Sequence, residues 1–210
     1  TAIRAFKEEL GERSCRVCYV GSVKHSTAVL QDFVLQMGYQ PSHQRANLLR
    51  QLSKAISQTW IEQRKKTLLV LDDAQATEES LLEDLRLLSN FDYDSQEPLI
   101  LLLVGHPSLQ NRLRKPIHLA LWDRLRMLFR LEGLSLEETH QYIEQHLRAA
   151  GGPVEPFTPE ARLAVFEQSQ GIPRRINRLA LEAVKRSAQN KVNTIDENMI
   201  CVAAGVFDGV

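Results

Sequence analysis

Residues 68–75 read LLVLDDAQ, four aliphatic side chains running straight into two adjacent acids, Asp72 and Asp73. A short apolar run rich in Leu and Val reads as a strand buried on both faces, the pattern of a parallel sheet. Open α/β sheets bind their ligands at the carboxyl ends of the strands, so these carboxylates stand where a ligand is expected. Paired acids there suit a magnesium nucleotide. One organises the metal's water shell, and its neighbour orients and deprotonates an attacking water. Adjacent acids after a strand also occur simply as caps of the following helix.

Outward from this stretch, the spacing predicts alternating strands and helices. CRVCYV (15–20) and LILLLVG (99–105) read as strands, the second fully buried. Helices are expected at 1–12, 25–37, 44–64 and 78–89, with short ones near 107–114 and 118–125. Gly38 and Pro41 stop the second, and Leu48, Leu52, Ile56 and Trp60 recur four apart in the third. LFRL (128–131) reads as strand-like. This alternation implies a parallel sheet covered on both faces. The strand at 99–105 runs into His106, whose imidazole would lie beside the Asp72 end and could touch a γ-phosphate or its attacking water. A surface turn histidine is the other reading.

After Gly133 the texture is helical only. Ser135-Leu-Glu-Glu138 is a capping box, Thr158-Pro159 an N-cap followed by proline, and Gly171-Ile-Pro173 a helix start. Thr194-Ile-Asp-Glu197 is expected to cap the last helix.

The 210 residues suit one large domain or a domain with a small appendage. Hydrophobic residues at 43% and charged residues at 25% give an ordinary soluble composition, without the apolar excess of a membrane protein. Because 26 basic and 26 acidic residues cancel, any nucleic-acid surface must be a local patch. Arg112, Arg114 and Lys115, then Arg174, Arg175, Arg178, Lys185 and Arg186, are the dense basic clusters. No segment reaches the roughly 18 apolar residues of a membrane span, and no signal peptide opens the chain. Cys15-Arg-Val-Cys18 lies in a period-two stretch and reads as strand rather than as half a metal site. The expected setting is reduced and cytoplasmic. TAIRAFKEEL (1–10) is already helical in period and has no start signal, so an upstream segment is expected.

Four stretches, LLVLDDAQ (68–75), LRLLSNFDYDSQEPLILLLVGHPSL (85–109), DRLRMLFRLEGLSLEET (123–139) and SQGIPRRINRLALEA (169–183), together resemble the AAA+ ATPases. Within them the chain is similar to the group of general secretion pathway protein A (ExeA-like) and the transposition helper ATPases of the TnsC/TniB kind. The resemblance implies an α/β P-loop NTPase fold, with a nucleotide-binding core over 1–133 and a helical lid domain over 134–210. A Gly-Lys-Thr phosphate loop would immediately precede a helix like TAIRAFKEEL. Thr1 is then that motif's threonine or the residue after it, and binds nucleotide. The expected cofactors are ATP and Mg2+, the metal being held by Asp72 through water.

Asp73 stands where the family usually has glutamate, the base that activates water. One methylene less leaves its carboxylate roughly 1.5 Å short, a displacement that costs about a hundredfold in rate, so slow hydrolysis is expected. His106 takes the sensor position, Arg124 that of the arginine finger reaching a neighbouring subunit, and Arg174 that of the second sensor. Arg124 also reads as an exposed helix-end arginine. The implied function is ATP-dependent assistance of a transposase in target-site selection, by a ring or filament of identical subunits on double-stranded DNA. The alternatives are an assembly ATPase of general secretion or pilus systems, and a non-hydrolysing nucleotide-dependent scaffold.

Overall fold

Strands β1 (Cys15–Val20), β2 (Lys66–Leu71) and β3 (Leu99–Leu103) form a three-stranded parallel sheet in the order β1-β2-β3. The computed structural model describes residues 3, 5–6, 8–10, 15–21, 25–90, 97–151 and 156–208. Thr1 therefore lies outside the described residues, while those described between 3 and 10 are helical. The first crossover carries helices α1 (Ser26–Gln36) and α2 (Arg45–Gln63), and the second carries α3 (Glu79–Leu88). Short helices α4 (Ser108–Leu113) and α5 (Leu119–Trp122) follow β3. Parallel strands need such crossovers, and the sheet as a whole carries helices on both sides, the α/β arrangement expected from sequence.

β2 is the middle strand, and all its residues after Lys66 are buried. Successive side chains point to opposite faces, so one face takes Leu69 and Leu71, the other Leu68 and Val70. Leu69 and Leu71 join a core with Val29, Leu30, Phe33 and Val34 of α1, Leu48, Leu52 and Ile56 of α2, and Leu81, Leu82 and Leu85 of α3. In β1, Cys18 and Val20 turn inward while Tyr19 turns out. Cys15 and Cys18 are an odd number of residues apart on this strand and so face opposite ways, which removes any dithiol or metal role from the pair. Both are free thiols, and Cys18 Sγ lies 3.5 Å from Met37 Sδ in the core.

Two strand expectations need correction. β3 is only half-buried, with Ile100 40% exposed. It has a ladder partner on one edge alone among the described residues, so it is not the doubly covered strand that its composition suggested. LFRL (128–131) forms no strand, and Leu128, Phe129 and Leu131 are 61%, 81% and 75% exposed. Apolar composition supplies the propensity for a strand, but a ladder needs a neighbour, and none is present among the described residues.

The chain divides into two compact units, Thr1–Leu128 and Phe129–Val210. The second contains α6 (Leu136–Ala149), α7 (Pro159–Ser169), α8 (Pro173–Asn190) and α9 (Glu197–Asp208). Its core joins Ile143, Phe157, Val165, Ile176, Ile195 and Ile200. Ser135 and Glu138 form the expected reciprocal capping box, and Thr158 Oγ1 accepts the Ala161 N–H at 3.1 Å. The cap of α9 is Asp196, whose Oδ1 accepts the Met199 N–H at 2.9 Å, rather than Thr194. Ahead of α8 the backbone crosses very closely. Gly171 has φ +66°, and a Cβ there would stand 2.0 Å from Leu134 O. Only glycine serves at such a position.

Candidate functional site at the strand ends

Register brings the carboxyl ends of all three strands level. Val20 pairs with Leu71 and Leu71 with Leu103, and the ladder continues past them, with Asp72 N–H donating to Val20 O and Ala74 N–H to Val104 O, each at 2.9 Å. Asp72 and Asp73 thus sit at the end of the central strand, as the alternation of the sequence implied.

Each carboxylate is held. Asp72 Oδ2 accepts from the Tyr19 hydroxyl at 2.9 Å, and Asp72 Oδ1 accepts from the Asp73 N–H at 2.9 Å. The hydrogen bond to Asp72, then burial and the charges of Asp72 and Asp73, push the Tyr19 phenol above its ordinary range. Asp73 adopts the left-handed conformation, φ 51° and ψ 35°, and precedes the short 3-10 turn Ala74–Ala76. Aspartate is one of the few residues besides glycine that enter this region routinely. Gln75 in that turn donates from Nε2 to Asp73 Oδ1 at 3.2 Å, and its Oε1 accepts the His106 N–H at 3.0 Å. His106 Nδ1 lies 3.3 Å from the Ser108 N–H, an obligate donor, so a neutral imidazole carries its proton on Nε2. Asp72, Asp73 and His106 therefore stand on adjacent strand ends, with Gln75 between the last two.

The two arginines are placed differently. Arg124 Nη1 donates to Arg86 O at 3.2 Å and Ser89 Oγ at 2.8 Å, at the carboxyl end of α3. A cation is favourable there, against the negative end of the helix dipole. The ten residues of α3 span about 15 Å, so this is the end remote from the acids. Arg174 belongs to the second unit and is exposed in the first turn of α8.

The AAA domain model matches residues 1–113, more than half of the chain. The chain belongs to the AAA domain family. This AAA domain protein is 32% identical over 146 residues to general secretion pathway protein A of Aeromonas hydrophila, covering 70% of the chain. Among solved structures it is similar to Cdc6p from Pyrobaculum aerophilum, with TM-score 0.67 and 16% identity over 92% of the chain. It is also similar to the ORC1 protein of Aeropyrum pernix in complex with DNA, with TM-score 0.66 and 13% identity over 98% of the chain. The chain spans 27% of the Aeromonas protein and 53% and 54% of these two structures. At such identities the solved structures speak for the fold.

The donor set of the AAA domain fits magnesium with nucleotide. Mg2+ is a hard ion that keeps waters and takes one or two carboxylates beside phosphate oxygens, rather than an all-protein cage. Asp72 supplies such a carboxylate, with Asp73 beside it, and no group of three or more metal-ligating side chains occurs among the described residues. Tyr19 and Gln75 are the contributors that sequence reasoning missed. The alternation of CRVCYV and the polar end of LDDAQ mark both as outward-facing, but not what they touch. Several expected DNA-tracking cations are engaged by the protein itself. Arg112 donates to Gln75 O at 3.1 Å, Arg114 stacks 5.0 Å from the Trp122 ring, and Arg186 pairs with Glu182 at 3.2 Å. Arg174, Arg178 and Lys185 are exposed on α8. With 3.6 residues per turn, their spacing puts them on one side of the helix, within roughly 40° of one another. No helix among the described residues is long and apolar enough to cross a membrane.

Proposed function

We propose that this AAA domain protein is an ATPase that assembles as a ring or filament on double-stranded DNA and assists a transposase in choosing its target. The observation that carries the ATPase reading is the pair of held carboxylates at the end of the central strand, with the His106 strand end beside them. Magnesium would supply charge neutralisation at the phosphates when bound, and Asp72 would hold it through water. Asp73 orients the attacking water and takes its proton. His106 donates from Nε2 toward the γ-phosphate or that water. Arg174 presents a permanent charge at a helix start, where anions are favoured, and Arg124 serves a neighbouring subunit. Thr1 binds nucleotide at the phosphate loop. The exposed basic row on α8 and the likeness to a DNA-bound ORC1 support DNA as the partner.

The relationship to general secretion pathway protein A supports a second reading, an ATPase of secretion or pilus assembly. ATP turnover by the full-length protein, with and without double-stranded DNA, separates them. Stimulation by DNA, with turnover lost in Asp73→Asn, is the expected result. DNA-independent turnover favours the secretion reading. Nucleotide binding without turnover makes the protein a scaffold.

A further inference from the structure

The side chain that joins the two candidate catalytic strand ends is neither acid nor histidine. Gln75 lies in the turn after Asp73, and its amide orientation is fixed by chemistry. The His106 N–H can only donate, so Gln75 Oε1 must face it, at 3.0 Å. That leaves Nε2, which can only donate, toward Asp73 Oδ1 at 3.2 Å. The turn itself is pinned from two further sides, by Ala74 N–H donating to Val104 O at 2.9 Å and Arg112 Nη1 donating to Gln75 O at 3.1 Å. Room for the amide comes from Gly105, where an added Cβ would stand 2.3 Å from Gln75 Oε1.

We infer that Gln75 is a positioning residue that fixes the Asp73 carboxylate against the His106 end of β3, in a space that Gly105 keeps open. This rests on the reading of Asp73 as the base. Asp73 is a short acid on a left-handed backbone, and the Gln75 amide is the group that ties its carboxylate to the end of β3. Only glutamine meets both ends. Asparagine is one methylene shorter, and glutamate accepts from the His106 N–H but repels Asp73 instead of donating to it. A tie between the strand ends also couples them, since a shift of β3 toward a phosphate carries the Asp73 carboxylate with it.

The test uses the full-length protein and compares kcat, KM for ATP, affinity for a non-hydrolysable ATP analogue, and thermal midpoint. Gln75→Glu keeps the bond to His106 and loses the one to Asp73. Its kcat is expected to fall about tenfold to a hundredfold, the scale of a carboxylate displaced by an ångström. KM, analogue affinity and melting should stay near wild type. Gly105→Ala should lower kcat similarly by displacing the amide, yet add much less to Gln75→Ala, because the 2.3 Å collision is gone and only the milder 3.3 Å approach to Ala74 N remains. A wild-type kcat in Gln75→Glu, or losses from Gly105→Ala and Gln75→Ala that multiply in the double variant, overturns the inference. So does a kcat loss that merely follows a lowered melting point. Full activity of Asp73→Asn overturns the base assignment and this inference with it. An inactive Asp73→Asn beside a fully active Gln75→Glu overturns the inference alone.

Discussion

At Asp72 both carboxylate oxygens are engaged, Oδ2 by the Tyr19 hydroxyl and Oδ1 by the Asp73 N–H. A carboxylate has about four lone-pair sites, so each oxygen keeps one for a metal-bound water while its direction is fixed. Tyr19→Phe removes one of the two restraints. In the full-length protein the Mg2+ concentration for half-maximal turnover is expected to rise several-fold, with folding stability changed by about 1 kcal/mol or less, the net worth of one hydrogen bond. An unchanged magnesium requirement would show that Tyr19 does not orient Asp72. The acids were legible because buried-strand composition followed by Asp-Asp is a local signal. Tyr19 and Gln75 were not, because what they touch is set by strand register and by a turn at the end of a different strand. Tyr19 pairs with Val70, one residue short of the end of β2, and no feature of CRVCYV reports that alignment.

Among the elements, α1 and α3 share an unusual start. Glu78 is the N-cap residue of α3, yet its carboxylate reaches across to α1, accepting the Ser26 N–H at 3.1 Å and the Ser26 hydroxyl at 2.6 Å, with His25 Nδ1 at 3.1 Å. Hydrogen bonds from the Ser26 side chain and backbone, then His25, lower its pKa from 4.5 to about 2. A carboxyl group more acidic in the folded state stabilises the fold above its unfolded value, and that contribution is lost as pH falls through its folded value. Glu78→Gln is therefore expected to melt below wild type at pH 7. The gap should narrow as pH drops below about 4.5 and close near 2. A gap independent of pH would assign the effect to packing rather than to the charge. Element boundaries were mostly readable, since α2, α6, α7 and α8 carry periodicity, caps or prolines. The failures share one cause. LFRL (128–131) and LILLL (99–103) both carry a strand-like composition, but burial and ladder pairing depend on neighbours that lie elsewhere in the chain.

For the whole molecule, net charge is silent and placement decides. Each unit has its own core, the sheet unit around Leu69 and Leu71 and the helical unit around Val165 and Ile176. The candidate residues divide between them, Asp72, Asp73, His106 and Arg124 in the first and Arg174 in the second. Arg124 donates to Arg86 O and Ser89 Oγ within its own subunit, so a role on a neighbour's nucleotide requires exchanging those bonds at an interface. A guanidinium suits that exchange, being always charged and able to fork onto phosphate oxygens. Arg124→Ala in the full-length protein is accordingly expected to lower turnover about a hundredfold or more, with ATP affinity of the isolated subunit unchanged. Mixing it with Asp73→Asn should restore activity. In a head-to-tail assembly, random mixing of equal amounts leaves roughly a quarter of the interfaces with both an intact arginine and an intact acid. Assembly on DNA should weaken as salt rises, because phosphate contacts release counterions. Mixtures no more active than the sum of their parts, measured under conditions where the subunits co-assemble, would confine Arg124 to its bonds at the end of α3 and remove the action across subunits.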